Sequence, residues 1–279
     1  MSDLNGGGDV DLVVPDSPSD CVSSLSFAPL PVGSTHSDLL ASSSWDSSVC
    51  VFELSANGAC VPRARLTQSA PVLTTSWNQQ RNKVAFAGCE KIVKVWDVHT
   101  NQVTNIGQHG EPVKQLIDLG GMSSQAAGLP GLVSGGWDKK VKYWDPNTPS
   151  PTGAGVLEVD VPDKVYAMDQ RGFGLLVATA ERHIRLFDLR KAQSPVRTIQ
   201  CPLKFQSRSI SFFPNGEGFA LGSIEGRVSI QHLAPEQESA NFSFKCHRGK
   251  NPDGTENITP VHAIEFHMKH GTFLTAGGG

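Results

Sequence analysis

The segment Ser134–Asp145, SGGWDKKVKYWD, decides the fold of this chain. Small residues end at Gly136, a turn containing an aspartate follows, and Val141–Trp144 leads away from it, which is the pattern of two short strands joined by a tight turn. The same order of small residues, an acid and a strand that opens on valine or isoleucine recurs in four other segments: SSSWDSSVCVFE from Ser42, AGCEKIVKVWDV from Ala87, ATAERHIRLFDL from Ala178 and GSIEGRVSIQHL from Gly222.

The spacing of this repeat predicts the architecture. The matching strand residues are taken as Phe52, Trp96, Trp144, Phe187 and Ile230, which are separated by steps of 44, 48, 43 and 43 residues. A period in the forties, with short strands and Trp-Asp endings, is typical of β-propeller blades. The sequence therefore predicts an all-β, WD-repeat β-propeller, a fold that commonly has seven blades.

The repeat also predicts the organisation of the chain. Residues 1–20 are rich in Gly, Ser, Asp and Pro and are predicted to be a flexible segment, in which residues 10–14 could add a ring-closing strand. Residues 21–279 are predicted to hold blades one to five and the first two strands of blade six, with loops at 120–130 and 249–259. We expect a product truncated within blade six, short of on the order of 60 to 70 residues.

Composition excludes several classes of protein. Apolar residues make up 38% and charged residues 18% of the 279 residues, which suits a packed core rather than a disordered chain. A net charge of -3 argues against a protein that coats nucleic acid by charge alone. The six cysteines are widely spaced without a C-x-x-C pair, and no apolar run approaches the length of a membrane span, so we expect reduced thiols, no metal, no cofactor and no membrane insertion.

No catalytic motif is present, but one group of residues resembles a hydrolase site. His109, Ser134 and Asp138 could be a catalytic triad, with Trp144 beside them. In WD-repeat blades these residue types instead form a hydrogen-bonded structural brace, in which each half-buried polar group needs a partner. We favour the brace and predict a non-enzymatic protein, while a small-molecule site in the central channel is the alternative.

Two tryptophans and two cations are candidates for partner binding. Trp45 and Trp137 each precede a turn acid, where the other repeats have smaller residues, so each could anchor a partner or merely cover its own turn. Lys204 and Arg208, in PLKFQSRSI, lie in the loop that enters blade five and are expected on the same face. They could hold a carboxylate-bearing peptide or be solvated loop charges.

The chain resembles the WD-repeat nuclear-pore mRNA-export factors and, more distantly, their spindle-checkpoint paralogues. The similar segments keep their order from Val22 onward and are specific only together: SSWDSSV, NIGQHGEPVKQ, SGGWDKKVKYWD, ATAERHI, PLKFQSRSI, GFALGSIEGRV, NFSFKCHR and EFHMKHGTFLTAG. ATAERHI, NIGQHGEPVK and HGTFLTAG resemble the export factors, whereas DPNTPSP and PDKVYAMD resemble the checkpoint proteins. We favour export and keep the checkpoint role as the alternative.

This resemblance implies an adaptor that docks the GLEBS motif, a short hairpin-forming segment of an FG-repeat nucleoporin and of checkpoint kinases. Glutamates of that motif would be held by Trp45, Trp137 and Arg208, with Lys204 a weaker candidate. The resemblance also implies contact with mRNA, for which Arg227, Lys245 and Arg248 are candidates. It implies a location in the nucleus and at the nuclear pore, with shuttling to the cytoplasm.

Overall fold

The computed structural model describes residues 14–29, 38–55, 59–120, 128–129, 131–150 and 152–278. Five consecutive groups of four antiparallel strands form five sheets, called blades one to five. Blade one contains β1 (Val22–Phe27), β2 (Asp38–Ser44), β3 (Ser48–Leu54) and β4 (Cys60–Thr67). Blade two contains β5 (Val72–Trp77), β6 (Lys83–Gly88), β7 (Ile92–Asp97) and β8 (Gln102–Gln108). Blade three contains β9 (Val113–Asp118), β10 (Leu132–Gly136), β11 (Lys140–Trp144) and β12 (Leu157–Asp160).

The second half of the chain continues this plan. Blade four contains β13 (Val165–Arg171), β14 (Gly174–Thr179), β15 (His183–Asp188) and β16 (Arg197–Gln200). Blade five contains β17 (Ser207–Phe212), β18 (Gly218–Ser223), β19 (Arg227–His232) and β20 (Phe242–Lys245). Two hairpins follow, β21 (Arg248–Lys250) with β22 (Glu256–Ile258), and β23 (Val261–Phe266) with β24 (Phe273–Gly277). Two 3-10 helices, Leu189–Lys191 and Pro235–Ala240, lie outside the sheets.

The first strand of each sheet lies against the first strand of the next, in the order β1, β5, β9, β13, β17 and β23. Side chains link neighbouring first strands: Ser76 Oγ accepts from Asp118 N at 3.0 Å, and Asp169 Oδ2 accepts from Phe212 N at 2.6 Å. Ser209 Oγ donates to the carbonyl oxygen of Val261 at 2.9 Å. These strands therefore form the inner surface of a series of radially arranged blades, as in a β-propeller.

The apolar core lies between blades. Each of five buried clusters draws residues from two successive sheets; one cluster joins Tyr143 of blade three to Val165 and Val177 of blade four. Gly135 allows the close approach there, because a Cβ atom at this position would lie 2.4 Å from Met168 Sδ. Burial against the neighbouring blade, rather than within one sheet, therefore stabilises each unit of the repeat.

The all-β propeller architecture predicted from the repeat is confirmed, with two local corrections. The register pairs Phe219 with Gln231, as Leu132 pairs with Trp144, so Gln231 and not Ile230 is the blade-five equivalent of Trp144. The sequence misses this because β19 lacks the aromatic residue that marks the position. The loop predicted at 249–259 also contains the hairpin β21–β22, whose Arg248 and Glu256 form an ion pair at 3.2 Å.

Two other predicted segments lie mostly outside the described residues. Of the ring-closing strand expected at 10–14, only Val14 lies within the described residues, and most of the loop expected at 120–130 falls outside them. The last sheet has two strands, and Leu25 and Phe27 of β1 and Leu274 of β24 are exposed at the two ends of the series. In the part of the chain that the structure describes, no helix is long and apolar enough to cross a membrane.

Candidate functional site on the turn face

One face of the propeller is built from equivalent residues of all five blades. It comprises the turns between second and third strands and the residues that precede each first strand, and we call it the turn face. Trp45 N donates to the carbonyl of Cys21 at 3.0 Å, and Trp137 N donates to that of Pro112 at 2.9 Å. Cys89, Ala180 and Ile224 make the same bond in their blades. The two tryptophans therefore occupy the same repeat position and lie on the same face.

The two tryptophans differ in exposure. The side chain of Trp45 is an exposed large hydrophobic group, with 48% of the residue accessible. Trp137 is half-buried, and its buried Nε1 has no hydrogen-bond partner among the described residues. Exposure suits Trp45 to a partner contact, whereas Trp137 is less accessible and retains a donor that has no partner among the described residues.

Arg208 and Lys204 also belong to the turn face, at the start of blade five. Arg208 is the second residue of β17, and its Nε donates to His262 Nδ1 at 3.2 Å. Lys204 is exposed in the preceding loop, where its carbonyl oxygen accepts from Arg182 Nη1 at 3.1 Å. Within the described ranges neither cation forms an ion pair with a carboxylate, so both side chains remain available to an acidic ligand.

The acids of the turn face are engaged within the protein. The carboxylates and their cationic or histidine partners are Asp46 with Arg65, Glu90 with Lys94, Asp138 with His109, Glu181 with Arg185 and Glu225 with Arg227. Burial alone would raise the pKa of Asp46, but hydrogen bonds from Ser48 and Ser19 outweigh it and hold that pKa below its ordinary value. The turn acids near Arg208 and Lys204 therefore already have partners, whereas these two cations form no ion pair among the described residues.

His109, Ser134, Asp138 and Trp144 form one hydrogen-bonded chain in blade three. His109 Nδ1 lies 2.9 Å from Asp138 Oδ1, and its Nε2 lies 2.7 Å from Ser134 Oγ, which also accepts from Trp144 Nε1 at 2.7 Å. A neutral imidazole with its proton on Nδ1 satisfies every group. Ser134 is completely buried, and its Oγ already has two partners. The arrangement orders polar groups inside the blade and leaves the hydroxyl no path to a substrate.

The three candidate RNA contacts lie at the outer part of the same blade-five edge. Arg227 opens β19 and is paired in register with Lys245 at the end of β20, so two cations stand opposite each other. Arg227 lies 3.7 Å from Glu225, and Arg248 Nη2 donates to the carbonyl oxygen of Glu225 at 2.8 Å. Lys245 is exposed. With Arg208 and Lys204, these residues place five cations along blade five and the hairpin after it, although Glu225 pairs with Arg227 and Glu256 pairs with Arg248.

Comparison with known proteins identifies the family. A family model described as WD domain, G-beta repeat matches residues 99–145. The chain is 39% identical to the mRNA export factor GLE2 of Chaetomium thermophilum over 269 residues, which cover 96% of this chain and 72% of that protein. It is 37% identical to the protein Rae1 of Drosophila melanogaster over 96% of this chain and 75% of that protein. The chain belongs to the WD-repeat mRNA export factor family.

The chain is also similar to a mitotic checkpoint protein. The mitotic checkpoint protein bub-3 of Caenorhabditis elegans is 41% identical to this chain over 245 residues, 86% of this chain and 68% of that protein. The resemblance inferred from the sequence motifs is therefore confirmed in both its parts, the export factors and the checkpoint paralogue.

The structure adds two residues to the turn face of this export factor family member. Phe205, next to Lys204, is 52% exposed, and Ile224 is 37% exposed in the blade-five turn. The two are neighbours, because Ile224 N donates to the carbonyl oxygen of Gln206 at 3.1 Å. The only sequence signal for Phe205 was an apolar residue between Lys204 and Arg208. Such a residue can be buried or exposed, so the sequence alone does not predict its exposure.

Proposed function

We propose that this protein is a non-enzymatic adaptor that docks a GLEBS-type motif of an FG-repeat nucleoporin on its turn face and supports mRNA export through the nuclear pore. The proposal includes a nuclear and nuclear-pore location with shuttling to the cytoplasm. The observation that carries it is Arg208, which forms no ion pair with a carboxylate in the described ranges and lies on the same face as Trp45 and Trp137, in a chain of the export factor family.

The chemistry of this face suits a glutamate-bearing hairpin. A guanidinium can bind a carboxylate through two hydrogen bonds, and neighbouring indole and phenyl groups exclude water from the pair. Exposed Trp45, Phe205 and Ile224 supply apolar area beside the cations. Because the acids of the turns are already paired, an incoming carboxylate would meet little competition for Arg208.

A titration of a synthetic GLEBS-motif peptide tests the proposal. Arg208→Ala should weaken binding by about 2 to 5 kcal/mol, since truncating one partner of a desolvated charge pair leaves the other unpaired. The matched control is Arg190→Ala, because Arg190 follows the end of β15 on the opposite face and pairs there with Asp188 at 2.6 Å. Equal affinities of wild type and Arg208→Ala would discard the pocket.

The tryptophans provide an independent measurement. Trp45→Ala and Trp137→Ala should each weaken the same peptide, because aromatic anchors account for much of the free energy of such interfaces. Trp45→Phe retains an apolar ring and should lose less than Trp45→Ala. Binding that is unaffected by either alanine substitution would remove the tryptophans from the proposed site, whatever the outcome at Arg208.

The second candidate function is that of a mitotic checkpoint adaptor that binds the same motif in a checkpoint kinase. It is supported by the 41% identity to the bub-3 protein. Fluorescent tagging of the chain separates the two functions. Staining of the nuclear rim in interphase supports export, whereas staining of kinetochores in mitosis supports the checkpoint role.

Contact with mRNA is the finer part of the export proposal. The facing cations Arg227 and Lys245, with Arg248 beside them, form the basic surface for phosphate groups. The double variant Arg227→Gln, Lys245→Gln should weaken binding to single-stranded RNA and lower its salt dependence by about two units of slope at most. An unchanged salt dependence would assign RNA binding elsewhere.

A further inference from the structure

The first strands share a β-bulge that repeats around the ring. In blade three Val113 pairs with Gly136 and Gln115 with Gly135, so Lys114 is skipped by the register. In blade five Ser207 and Ser209 pair with Ser223 and Gly222, so Arg208 is skipped. The register is interrupted at the same place in the other three blades and in the β23–β24 sheet. A bulge leaves one residue without a ladder partner and redirects its side chain.

The skipped residues follow one another along the inner rim of the turn face. They are Ser23, Leu73, Lys114, Tyr166, Arg208 and His262, each the second residue of a first strand. Ser23 Oγ donates to the carbonyl oxygen of Val72 on the next first strand at 2.5 Å, which shows that such a side chain reaches the neighbouring blade. Leu73 is buried, so the members of the rim with accessible side chains are Ser23, Lys114, Tyr166, Arg208 and His262.

The cationic members of this rim are Lys114 and Arg208, and His262 lies beside them as a neutral hydrogen-bond acceptor. Lys114, Arg208 and His262 lie on β9, β17 and β23, and only β13, with the neutral Tyr166, lies between the first two. Arg208 Nε donates to His262 Nδ1 at 3.2 Å, which joins the guanidinium to the imidazole directly. Over the described residues Lys114 and Arg208 form no ion pair with a carboxylate. Lys114 and Arg208 are also half-buried, so solvent compensates their charges incompletely.

The ionisation of these groups reflects the missing counter-charge. Desolvation, with the positive charge of Arg208, lowers the pKa of Lys114 to about 8. Burial lowers the pKa of His262, and Arg208, Lys114 and His247 lower it further. Lys114 and Arg208 are two cations that repel each other and form no ion pair with an acid among the described residues, and a bound anion would relieve this repulsion.

We propose that this inner rim is an oxyanion site, in which Lys114 and Arg208 bind a phosphate or carboxylate group and His262 orients the guanidinium of Arg208. Lysine supplies a point charge and arginine a planar donor pair, while the Tyr166 hydroxyl lies on the strand between them as a neutral donor. The site goes beyond the docking of an acidic hairpin, because Lys114, Tyr166 and His262 have no role in that proposal. It shares Arg208 with it.

The test uses the intact chain with inorganic phosphate as the probe and acetate in a second arm, at constant ionic strength. Lys114→Gln should weaken phosphate binding about tenfold, because a hydrogen bond to a charged group is worth that factor or more. Lys114→Arg should retain binding. The control Lys139→Gln removes a lysine of the same face that pairs with Asp163 at 3.4 Å, and it should bind phosphate as wild type does. Thermal unfolding without added anion verifies that each variant folds.

The outcomes separate the two proposals. Phosphate or acetate binding that depends on Lys114 supports the site even if no GLEBS-motif peptide binds, in which case the docking proposal alone fails. Equal phosphate affinities of wild type and Lys114→Gln overturn the site, as does the lack of binding of either anion to wild type. Binding of phosphate without acetate would assign the site to phosphate-bearing ligands, and binding of both would include carboxylates.

Discussion

Blades three and five have the same strand order and register, but their polar side chains make different interactions. Blade three uses Ser134 and Trp144 in a buried hydrogen-bonded chain, whereas the equivalent positions in blade five hold Leu221 and Gln231. Blade five instead carries Arg208 at its turn-face edge, which donates to His262 and forms no ion pair with a carboxylate among the described residues. The difference shows that one repeat can be stabilised by polar groups that face inward, while another carries a cation that forms no ion pair among the described residues, which suits the proposed acidic ligand.

The two blades should differ in how much the free energy of unfolding changes when one of these polar residues is removed. Polar groups in blade three are paired within the fold, so removing one leaves its partner unsatisfied. Arg208 of blade five lacks an acidic partner in the described residues, so removing it should hardly change the free energy of unfolding. Substitutions in the two blades can therefore break or sharpen the comparison.

The largest expected effect is that of Trp144→Ala. Trp144 is 1% exposed and fills the space between blades two and three, and its loss should lower the free energy of unfolding by about 3 to 5 kcal/mol. Trp45→Ala is the matched control, because that side chain is exposed. This substitution should lower the free energy of unfolding by about 1 kcal/mol or less. Urea unfolding of the two variants measures both values. Similar losses would contradict the assignment of Trp45 to an open surface.

A smaller loss is expected for Ser134→Ala. The substitution leaves Trp144 Nε1 and His109 Nε2 buried without their partner and should cost about 1 to 3 kcal/mol. Ser243→Ala, on exposed β20, serves as the control and should be neutral. Chemical unfolding of both variants checks the result. A neutral Ser134→Ala would mean that the brace does not contribute to stability.

The smallest effect concerns Asp169, which joins blade four to blade five through Phe212 N. Burial raises its pKa to about 6, so the native protein retains a proton that the unfolded chain loses at lower pH. The stability linked to this proton is present below about pH 4 and is lost as pH rises through about 6. Asp169→Asn should therefore lose less stability than wild type between these values, by about 1 to 2 kcal/mol.

Unfolding free energies of wild type and Asp169→Asn near pH 4 and near pH 7 provide the measurement. Burial also raises the pKa of Asp118, which remains in both proteins and affects them alike, whereas Glu265 raises the pKa of Asp169 and is part of the effect that the comparison measures. Parallel pH profiles for the two proteins would show that the Asp169 carboxylate titrates normally.

The sequence predicts the strands well where a turn signal bounds them. In blade one the repeat segment SSSWDSSVCVFE, which begins at Ser42, contains the turn and the third strand, found at Ser48–Leu54. The slip from Ile230 to Gln231 arises because no aromatic residue marks the end of β19 in the sequence. The hairpin β21–β22 was missed because its polar residues lack the alternation that indicates a half-buried strand.

The candidate site was only partly accessible to sequence reasoning. Trp45 and Trp137 have the same local motif, and only their packing makes one exposed and the other half-buried. Lys114 and His262 carry no motif, because the bulge that brings them to the rim is a property of strand pairing rather than of residue type. Tertiary neighbours decide such positions, and repeat spacing does not report them.

The proposal that Arg208 binds a glutamate of an acidic hairpin is tested most directly by a double-mutant cycle. The cycle combines Arg208→Ala with a glutamate-to-glutamine change at each glutamate of the GLEBS-motif peptide in turn. We predict that one glutamate shows a coupling of at least about 1.5 kcal/mol, as close charge pairs at protein interfaces do. Losses that simply add for every glutamate would contradict the account.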